Sequence, residues 1–469
     1  MFDPNTQKIT AAFSDIPESQ DLDSLHLLKN DKLVLQINEG GRFYFYNITK
    51  QERVLNGLYI DDEIVLYTDE GFYDATQEGA RYVTWHYPGL KQHFDFSQFE
   101  SQFKRPDIIK GILTGQKVQK PSVRPVPPPN LEMMLKHPGN YAQQATVELN
   151  VSSIQPLSNL RLFVDGAPVV EIPVTGKQAH KTLPIEFKRG KHWITAVAYN
   201  DKGYSSIPQS LMVDASQVKA LGGNLYVLGV GVDNYPNMPT ANLNYAKQDI
   251  VAFAETARTN PAQQYENIVI KQLLNEKATP TNIYQTLTNI VQQATIDDTL
   301  MLYFAGHGEK SLDGQFYFLT SQASFGDFET TGLAWKKVAQ LLAQTKAKVI
   351  VFLDACHSGV ASQETVVPND EYVAELMKSG KAGMVVMAAS KGRQFSFEDS
   401  DFGEGHGAFN YAITRSLIED RQATDVNQNG IIELSELYRS VKFNVYKLTD
   451  GKQTPWLSRN EIIGEMPVL

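Results

Sequence analysis

Two short segments of the sequence carry the residue types that acyl transfer needs. Gly306-His307-Gly308 follows the apolar run DTLMLYFA, and Cys356 follows the apolar run KVIVFLDA. The thiolate of a cysteine is a nucleophile, and a nearby imidazole can take up its proton. Glycines beside His307 would let a backbone amide approach a reacting carbonyl group. The segments predict a cysteine–histidine pair; the alternative is a small core thiol and a surface histidine.

Both segments belong to a region that must bring them together. From residue 222 onward, near-continuous apolar strands alternate with amphipathic helices, and one helix is marked by Thr279 as its cap and Pro280 in its first turn. Further helices are predicted in GLAWKKVAQLLAQT and GAFNYAITRSLIED. This alternation predicts an α/β domain with a mostly parallel sheet and helices on both faces. Because reactive residues gather beyond the carboxyl ends of parallel strands, His307 and Cys356 are expected at one rim.

The two motifs also carry a family resemblance. YFAGHG and DACHSG, in this order and spacing, resemble the paired motifs of the caspase-like clan, and specifically of metacaspases and bacterial orthocaspases, over residues 222–420. The resemblance implies a caspase-hemoglobinase fold and a cysteine endopeptidase that forms a thioester acyl-enzyme. It makes Cys356 the nucleophile, His307 the general base and acid, and the backbone amides of Gly308 and Cys356 the oxyanion hole. A catalytically silent scaffold that binds a partner is the main alternative, and another cysteine hydrolase on a similar sheet is a remoter one.

An aspartate stands where caspases have a glutamine. Asp354 lies two residues before Cys356, and Asp249 lies in the first helix of the region. The metacaspase resemblance implies that both line the primary specificity pocket, with Ser390 at the border of the cleft. Two carboxylates in one pocket need a cation, so substrates should carry Arg or Lys before the scissile bond. The alternatives are a loop cap for Asp354, an exposed helix position for Asp249 and a turn hydroxyl for Ser390.

A second motif lies beyond the last helix of the resemblance. Residues 425–436 match the twelve-residue calcium loop of an EF-hand, with Gly430 at the sharp turn and the helical segments RSLIED and LSELYRSVKFNVYKL as flanks. The ligand positions are Asp425, Asn427, Asn429, Ile431, Glu433 and Glu436. The chemistry itself requires no cofactor, so calcium would be regulatory; a static turn is the alternative. Metacaspases are often calcium-activated, but the resemblance implies a different ion site for that activation.

Two β-rich accessory modules are predicted ahead of the peptidase region, which spans residues 222–469. Residues 1–115 contain short strands separated by turns, and part of them resembles the segment that joins WD-repeat propellers to caspase-like domains. The proline-rich run KPSVRPVPPPN predicts a semi-rigid linker at 116–130. Strands at short intervals over 131–217 predict a small β-sandwich of immunoglobulin type. These modules could bind a regulatory protein.

Composition excludes several classes of protein. There are 43 Lys and Arg residues against 53 Asp and Glu, for a net charge of −10, which argues against a nucleic-acid partner. The lone cysteine excludes an internal disulfide framework and a cysteine-rich zinc site. No apolar run is long enough for a membrane span and no signal peptide is visible, so a cytoplasmic protein is expected. The resemblance to orthocaspases alone implies a bacterial origin. Lys378 and Lys381 are the basic residues of the loop after Cys356, and we expect activity without a cut there.

Overall fold

The computed structural model describes most of the chain. The described residues are 2–3, 8–9, 22–28, 33–60, 63–76, 78–136, 144–218, 222–259, 265–311, 314–356, 369–377, 381–391, 394–460 and 462–468. Within them no helix is long and apolar enough to cross a membrane.

An antiparallel meander forms most of the amino-terminal module. Each strand pairs with the next along the chain, as short strands joined by tight turns do. The elements are β1 (Phe2–Asp3), β2 (Lys8–Ile9), β3 (Leu22–Leu27), β4 (Leu33–Asn38), β5 (Arg42–Asn47), β6 (Glu52–Ile60), β7 (Glu63–Tyr67), β8 (Tyr73–Ala75), β9 (Thr84–His86), β10 (His93–Asp95), α1 (Glu100–Phe103) and α2 (Pro106–Leu113). Here β1 pairs with β2, β9 with β10, and β3 to β8 form the meander. Residues 116–129 then have no regular secondary structure.

The next region is a two-layer β-structure. One sheet contains β11 (Asn130–Lys136), β12 (Gln144–Ser152) and β15 (Gln178–Glu186); the other contains β13 (Leu157–Val164), β14 (Ala167–Pro173), β16 (Lys191–Asn200) and β17 (Gln209–Asp214). Val147 and Leu149 of one sheet share a core with Leu160 and Leu162 of the other. Packing of alternate residues therefore holds this sandwich together, since it contains no cysteine.

A mixed sheet with helices on both faces forms the carboxyl-terminal region. Its elements are β18 (Leu225–Gly231), α3 (Ala246–Thr259), β19 (Ile268–Leu274), α4 (Pro280–Gln293), β20 (Thr299–Lys310), β21 (Phe316–Leu319), α5 (Phe328–Thr331), β22 (Gly332–Ala334), α6 (Trp335–Leu342), β23 (Lys348–Cys356), α7 (Asn369–Met377), β24 (Met384–Ala388), β25 (Glu398–Asp399), β26 (His406–Gly407), α8 (Ala408–Leu417), α9 (Arg421–Thr424), α10 (Leu434–Leu448) and β27 (Trp456–Asn460). The main strand order is β19-β18-β20-β23-β24-β27, and β21 and β22 extend from β20. Neighbours from β19 to β24 run parallel, and β27 is antiparallel.

Each face of this sheet has its own hydrophobic core. Side chains of α4, α6 and α7 cover one face, and side chains of α3, α8 and α10 cover the other. Both faces of β18 are buried as a result, which explains its uninterrupted apolar sequence. Thr279 caps α4 by accepting the backbone N–H of Asn282 at 3.2 Å, with Pro280 in the first turn, as predicted.

Two predicted helices are shorter in the structure. The segment GLAWKKVAQLLAQT was expected to be helical throughout, but Gly332–Ala334 pairs with β21, so the helix begins at Trp335. The segment ending in RSLIED was expected to continue to residue 420, but α8 ends at Leu417 and a turn precedes α9. In both cases a tertiary contact or a turn replaces the local helical preference.

A buried ionic cluster joins the β-sandwich to the first residue of β23. Asp165 accepts from His192 Nδ1 at 2.9 Å and from Lys348 Nζ at 3.4 Å, and the backbone N–H of Trp193 donates to it at 3.0 Å. Burial opposes ionisation of Asp165, but the charges of Lys348 and His192 outweigh it and lower its pKa to about 2. The strand that ends in Cys356 therefore begins with the positive charge of Lys348, and Asp165 of the β-sandwich neutralises that charge.

Removing this carboxylate should destabilise the protein. Asp165→Asn leaves the largely buried Lys348 without its counter-charge, so we expect the free energy of unfolding at pH 7 to fall by about 3 kcal/mol. Because the folded pKa of Asp165 is below the unfolded one, its stabilisation is present above pH 4 and is lost as the pH falls toward 2. Urea denaturation at pH 7 and near pH 2 measures the difference in the free energy of unfolding between the variant and the wild type. The exposed pair of Arg53 and Asp69 is the control, since Asp69→Asn should cost less than about 1 kcal/mol.

Candidate active site

The parallel pairing of β20 and β23 places the two motif residues side by side. Their register runs from Thr299 opposite Lys348 to His307 opposite Cys356. Both residues therefore lie at the carboxyl rim of the sheet, where the sequence predicts them. The structure describes Cys356 as the last residue of β23, and residues 357–368 lie outside the described residues.

His307 is held in one orientation by groups that the sequence analysis missed. The side chain is buried, and its Nε2 lies 2.7 Å from the backbone carbonyl oxygen of Ala241. A carbonyl oxygen only accepts, so Nε2 carries the hydrogen and Nδ1 has the lone pair in the neutral ring. The ring of Tyr235 packs at 5.2 Å from the imidazole, and its hydroxyl accepts the His307 backbone N–H at 3.0 Å. Tyr235 follows β18 at the same rim, which is the signal that could have identified it.

The two glycines beside His307 are closely surrounded. A β-carbon at Gly306 would lie 3.0 Å from both the Phe318 ring and the Tyr235 hydroxyl. One at Gly308 would lie 3.0 Å from the ring of Tyr372 in α7. Any larger residue would have to displace these aromatic side chains, so packing favours glycine at both positions.

Asp249 and Asp354 face each other across Gly407, and we call them the acidic pair. A β-carbon at Gly407 would lie 2.9 Å from Oδ2 of Asp249 and 3.3 Å from Oδ2 of Asp354. The absence of a side chain at Gly407 therefore leaves the space between the carboxylates open. Asp249 is only 3% exposed and Asp354 only 8%, so the exposed-helix alternative for Asp249 is wrong.

The acidic pair is electrostatically costly. Burial, followed by the neighbouring charge of Asp249, raises the pKa of Asp354 to about 7. Burial also raises the pKa of Asp249 to about 6, against the opposing effect of His406. The Tyr303 hydroxyl lies 3.5 Å from Oδ2 of Asp354, and a hydrogen bond from Ser396 favours its ionised form. The charged pair is thus short of compensating groups, as a site for a cationic ligand would be.

The hairpin of β25 and β26 closes one side of the acidic pair. His406 Nδ1 donates to Oδ1 of Asp249 at 2.8 Å, and the Gly407 backbone N–H lies 3.2 Å from both oxygens of that carboxylate. Glu398, on the other strand, accepts the backbone N–H groups of Asn244 and Tyr245 ahead of α3. None of these residues stands in a recognisable motif, so the sequence analysis missed His406 and Gly407.

Ser390 lies just beyond β24 and is buried. Its hydroxyl donates to the carbonyl oxygen of Gln394 at 3.1 Å, within its own loop. This bond is the turn contact that the alternative interpretation of Ser390 expects. Its predicted place at the border of the substrate cleft stays a prediction.

The chain's own donors occupy the carboxylates of the predicted calcium loop. Asn427 Nδ2 and Asn429 Nδ2 donate to Glu433, which also accepts the indole N–H of Trp193 at 2.9 Å. Glu436 accepts the backbone N–H groups of Asn427 and Glu433, and Asp425 accepts those of Asn429 and Gly430. The Ile431 N–H donates to Asn429 Oδ1, and Lys191 donates to the Asn429 carbonyl. Among the described residues no group of three or more His, Cys, Asp or Glu is arranged to hold a metal ion, and calcium binding stays a prediction.

Solved structures resemble parts of this chain only distantly. Protein GSU0716 of Geobacter sulfurreducens shares 17% identity over 53% of this chain and 94% of its own, with a TM-score of 0.34. Raptor of Chaetomium thermophilum shares 13% identity over 47% of this chain and 20% of its own, with a TM-score of 0.25. The fibronectin(III)-like modules of Clostridium thermocellum CbhA share 19% identity over 19% of this chain and 100% of theirs, with a TM-score of 0.15.

The family comparison covers the region that holds the site. No curated protein matches the sequence. The profile of the caspase domain family, Peptidase_C14, matches residues 226–466, which is more than half of the chain and includes His307, Cys356 and the acidic pair. The chain therefore belongs to the caspase-domain family, which implies a cysteine-type peptidase.

Proposed function

We propose that this protein is a cysteine endopeptidase of metacaspase type that cuts peptide bonds after Arg or Lys. The observation that carries the proposal is the acidic pair, two buried carboxylates that face one open space across Gly407. Asp354 is also two residues from Cys356 on β23, so the pair and the nucleophile share one strand end. A bound cation would favour the ionised form of both carboxylates, whereas an acidic side chain would add a third negative charge.

The proposed reaction begins with Cys356 and His307. The Cys356 thiol gives its proton to Nδ1 of His307, and the thiolate sulfur forms a bond to the scissile carbonyl carbon. The carbon–nitrogen bond then breaks, and the leaving amine takes the proton from His307, which leaves a thioester on Cys356. Water, activated by His307, attacks the thioester and releases the carboxylic acid and the free thiol. The bond from Nε2 to Ala241 supports this role because it keeps the lone pair on Nδ1.

The negative charge of the tetrahedral intermediate needs donors at the same rim. Successive N–H groups of a strand point to opposite edges, and the His307 N–H points to Tyr235, on the β18 side. In a regular strand the Gly308 N–H then points to the opposite edge, on which Cys356 pairs with β20. This alternation supports the backbone amide of Gly308 as one donor of the oxyanion hole, and the family resemblance supplies the amide of Cys356 as the second.

Replacing the nucleophile tests the chemistry. Cys356→Ala should reduce cleavage of an Arg-ending fluorogenic peptide to background, because no other thiol exists in the chain. An arginyl chloromethylketone should label the wild type once per chain, label His307→Ala much more slowly, and leave Cys356→Ala unlabelled. Unchanged thermal unfolding midpoints would show that the variants fold. Turnover retained by Cys356→Ala would contradict the mechanism, and a wild type without turnover or labelling would favour the silent scaffold.

Asp354→Asn should lower the activity of the protein and raise its stability. Losing one carboxylate of the pair should lower kcat/KM for the Arg peptide by about 30-fold or more, the equivalent of about 2 kcal/mol. The folded pKa of Asp354 is raised to about 7, so ionising it costs stability as the pH rises from 4 to 7. The variant avoids that cost, which is at most about 4 kcal/mol at about 1.4 kcal/mol per pKa unit. Its unfolding midpoint should therefore exceed the wild-type value at pH 8 and approach it at pH 4.

The matched control for Asp354→Asn is Asp401→Asn, which removes an exposed carboxylate from the turn between β25 and β26. It should leave both kcat/KM and the unfolding midpoint nearly unchanged. Better cleavage of an Asp-ending peptide than of the Arg peptide by the wild type would refute the proposed specificity.

Gly407→Ala tests whether the space in the acidic pair receives the substrate. The added methyl group would lie between the two carboxylates, 2.9 Å from one and 3.3 Å from the other. We expect KM for the Arg peptide to rise while chloroacetamide, a small alkylating agent that needs no pocket, still modifies Cys356 at the wild-type rate. A wild-type KM would show that the basic side chain binds elsewhere.

A further inference from the structure

We infer that His406 is a positioning residue of the acidic pair, which orients Asp249 through its hydrogen bond and so favours the ionised carboxylate that a substrate cation would meet. The inference rests on the proposed function, because it concerns how the same pocket receives Arg or Lys. His406 lies on β26, far along the chain from both aspartates, and its side chain is 15% exposed.

The two carboxylate oxygens of Asp249 have different surroundings. Nδ1 donates to Oδ1 at 2.8 Å, so the ring carries a hydrogen on Nδ1 whether it is neutral or charged. The adjoining Gly407 N–H holds the same carboxylate at 3.2 Å. Oδ2 is then the oxygen beside the open space, where a β-carbon at Gly407 would lie 2.9 Å away. A substrate cation in that space would meet Oδ2 of both aspartates.

The surrounding charges make the His406 contact important for ionisation of Asp249. Burial raises the pKa of Asp249 most, the hydrogen bond and charge of His406 lower it, and the charge of Glu398 raises it again. Asp354 and Tyr303 face Asp249 from β23 and β20, and Asp399 lies opposite His406 in the hairpin. None of the neighbours named here carries a positive charge, and three of them, Asp354, Glu398 and Asp399, are carboxylic acids. Loss of His406 would therefore raise the pKa of Asp249, leaving more of it protonated and unable to bind a cation at neutral pH.

This role differs from that of a residue that only maintains the fold. A positioning residue of the pocket affects how tightly the basic side chain binds and at which pH, while bond cleavage at Cys356 proceeds as before. Its removal should therefore change KM more than kcat, and a higher pH should reverse the defect because it ionises Asp249.

The experiment compares His406→Ala with His406→Asn. Asparagine places an amide donor close to the position of Nδ1, so it keeps the hydrogen bond to Asp249 without the imidazole ring. Steady-state kinetics with the Arg peptide are measured from pH 5.5 to pH 9. At pH 5.5, below the pKa of Asp249, we expect His406→Ala to raise KM by nearly tenfold, the limiting effect of a pKa change of about one unit, with kcat within about twofold of the wild type at the same pH. The increase in KM should shrink to about twofold at pH 7 and disappear at pH 9, and asparagine should recover most of the loss at pH 5.5.

The control is His86→Ala, which removes an exposed histidine from the amino-terminal hairpin and should leave KM unchanged at every pH. The inference is wrong if His406→Ala has the wild-type KM and pH profile, if kcat falls while KM stays constant, or if asparagine restores nothing. A wild type that does not cut the Arg peptide, or that cuts the Asp peptide better, would instead refute the proposed function itself. The two failures are therefore distinguishable.

Discussion

The hydrogen-bonded register between β20 and β23 is the constraint on which the whole site depends. Parallel pairing begins at Thr299 and Lys348 and ends at His307 and Cys356, so two residues distant in sequence become neighbours. Side chains of a strand alternate between faces, and a slip by one residue would move every side chain of the strand to the other face. Two separate cores resist such a slip because each face of the sheet is packed against its own helices.

The acidic pair is a second constraint, and it makes the folded protein less stable than a neutral pair of side chains would. Burial raises the pKa values of Asp249 and Asp354, and the charge of Asp249 raises the pKa of Asp354 further, so the fold disfavours the ionised form of both carboxyl groups. The surrounding structure tolerates this because the sheet, α3 and the β26 hairpin fix the carboxylates from three directions. Costly groups of this kind persist at sites that bind ligands, because the ligand supplies the compensation that the fold lacks.

The sequence was informative where local pattern and spacing carry the structure. The alternating strands and helices, the cap of α4 and the rim position of His307 and Cys356 follow from such patterns. His406 and Gly407 could not be predicted in the same way, because they meet Asp249 through a two-residue hairpin strand that has no periodic signal. The helix expected from residue 332 failed for a related reason: pairing with β21 competes with helical preference, and that partner is not visible in a local window.

The cluster at the start of β23 has a consequence for how this protein can be rearranged over evolutionary time. The positive charge belongs to the caspase domain, through Lys348, but the carboxylate that neutralises it belongs to the β-sandwich, through Asp165. A gene rearrangement that covered this end of β23 with an unrelated module would bury the ammonium group of Lys348 without a carboxylate partner. A fusion with an unrelated module would need a second mutation at Lys348 before it was tolerated. The two regions should therefore be inherited together, as one unit of recombination.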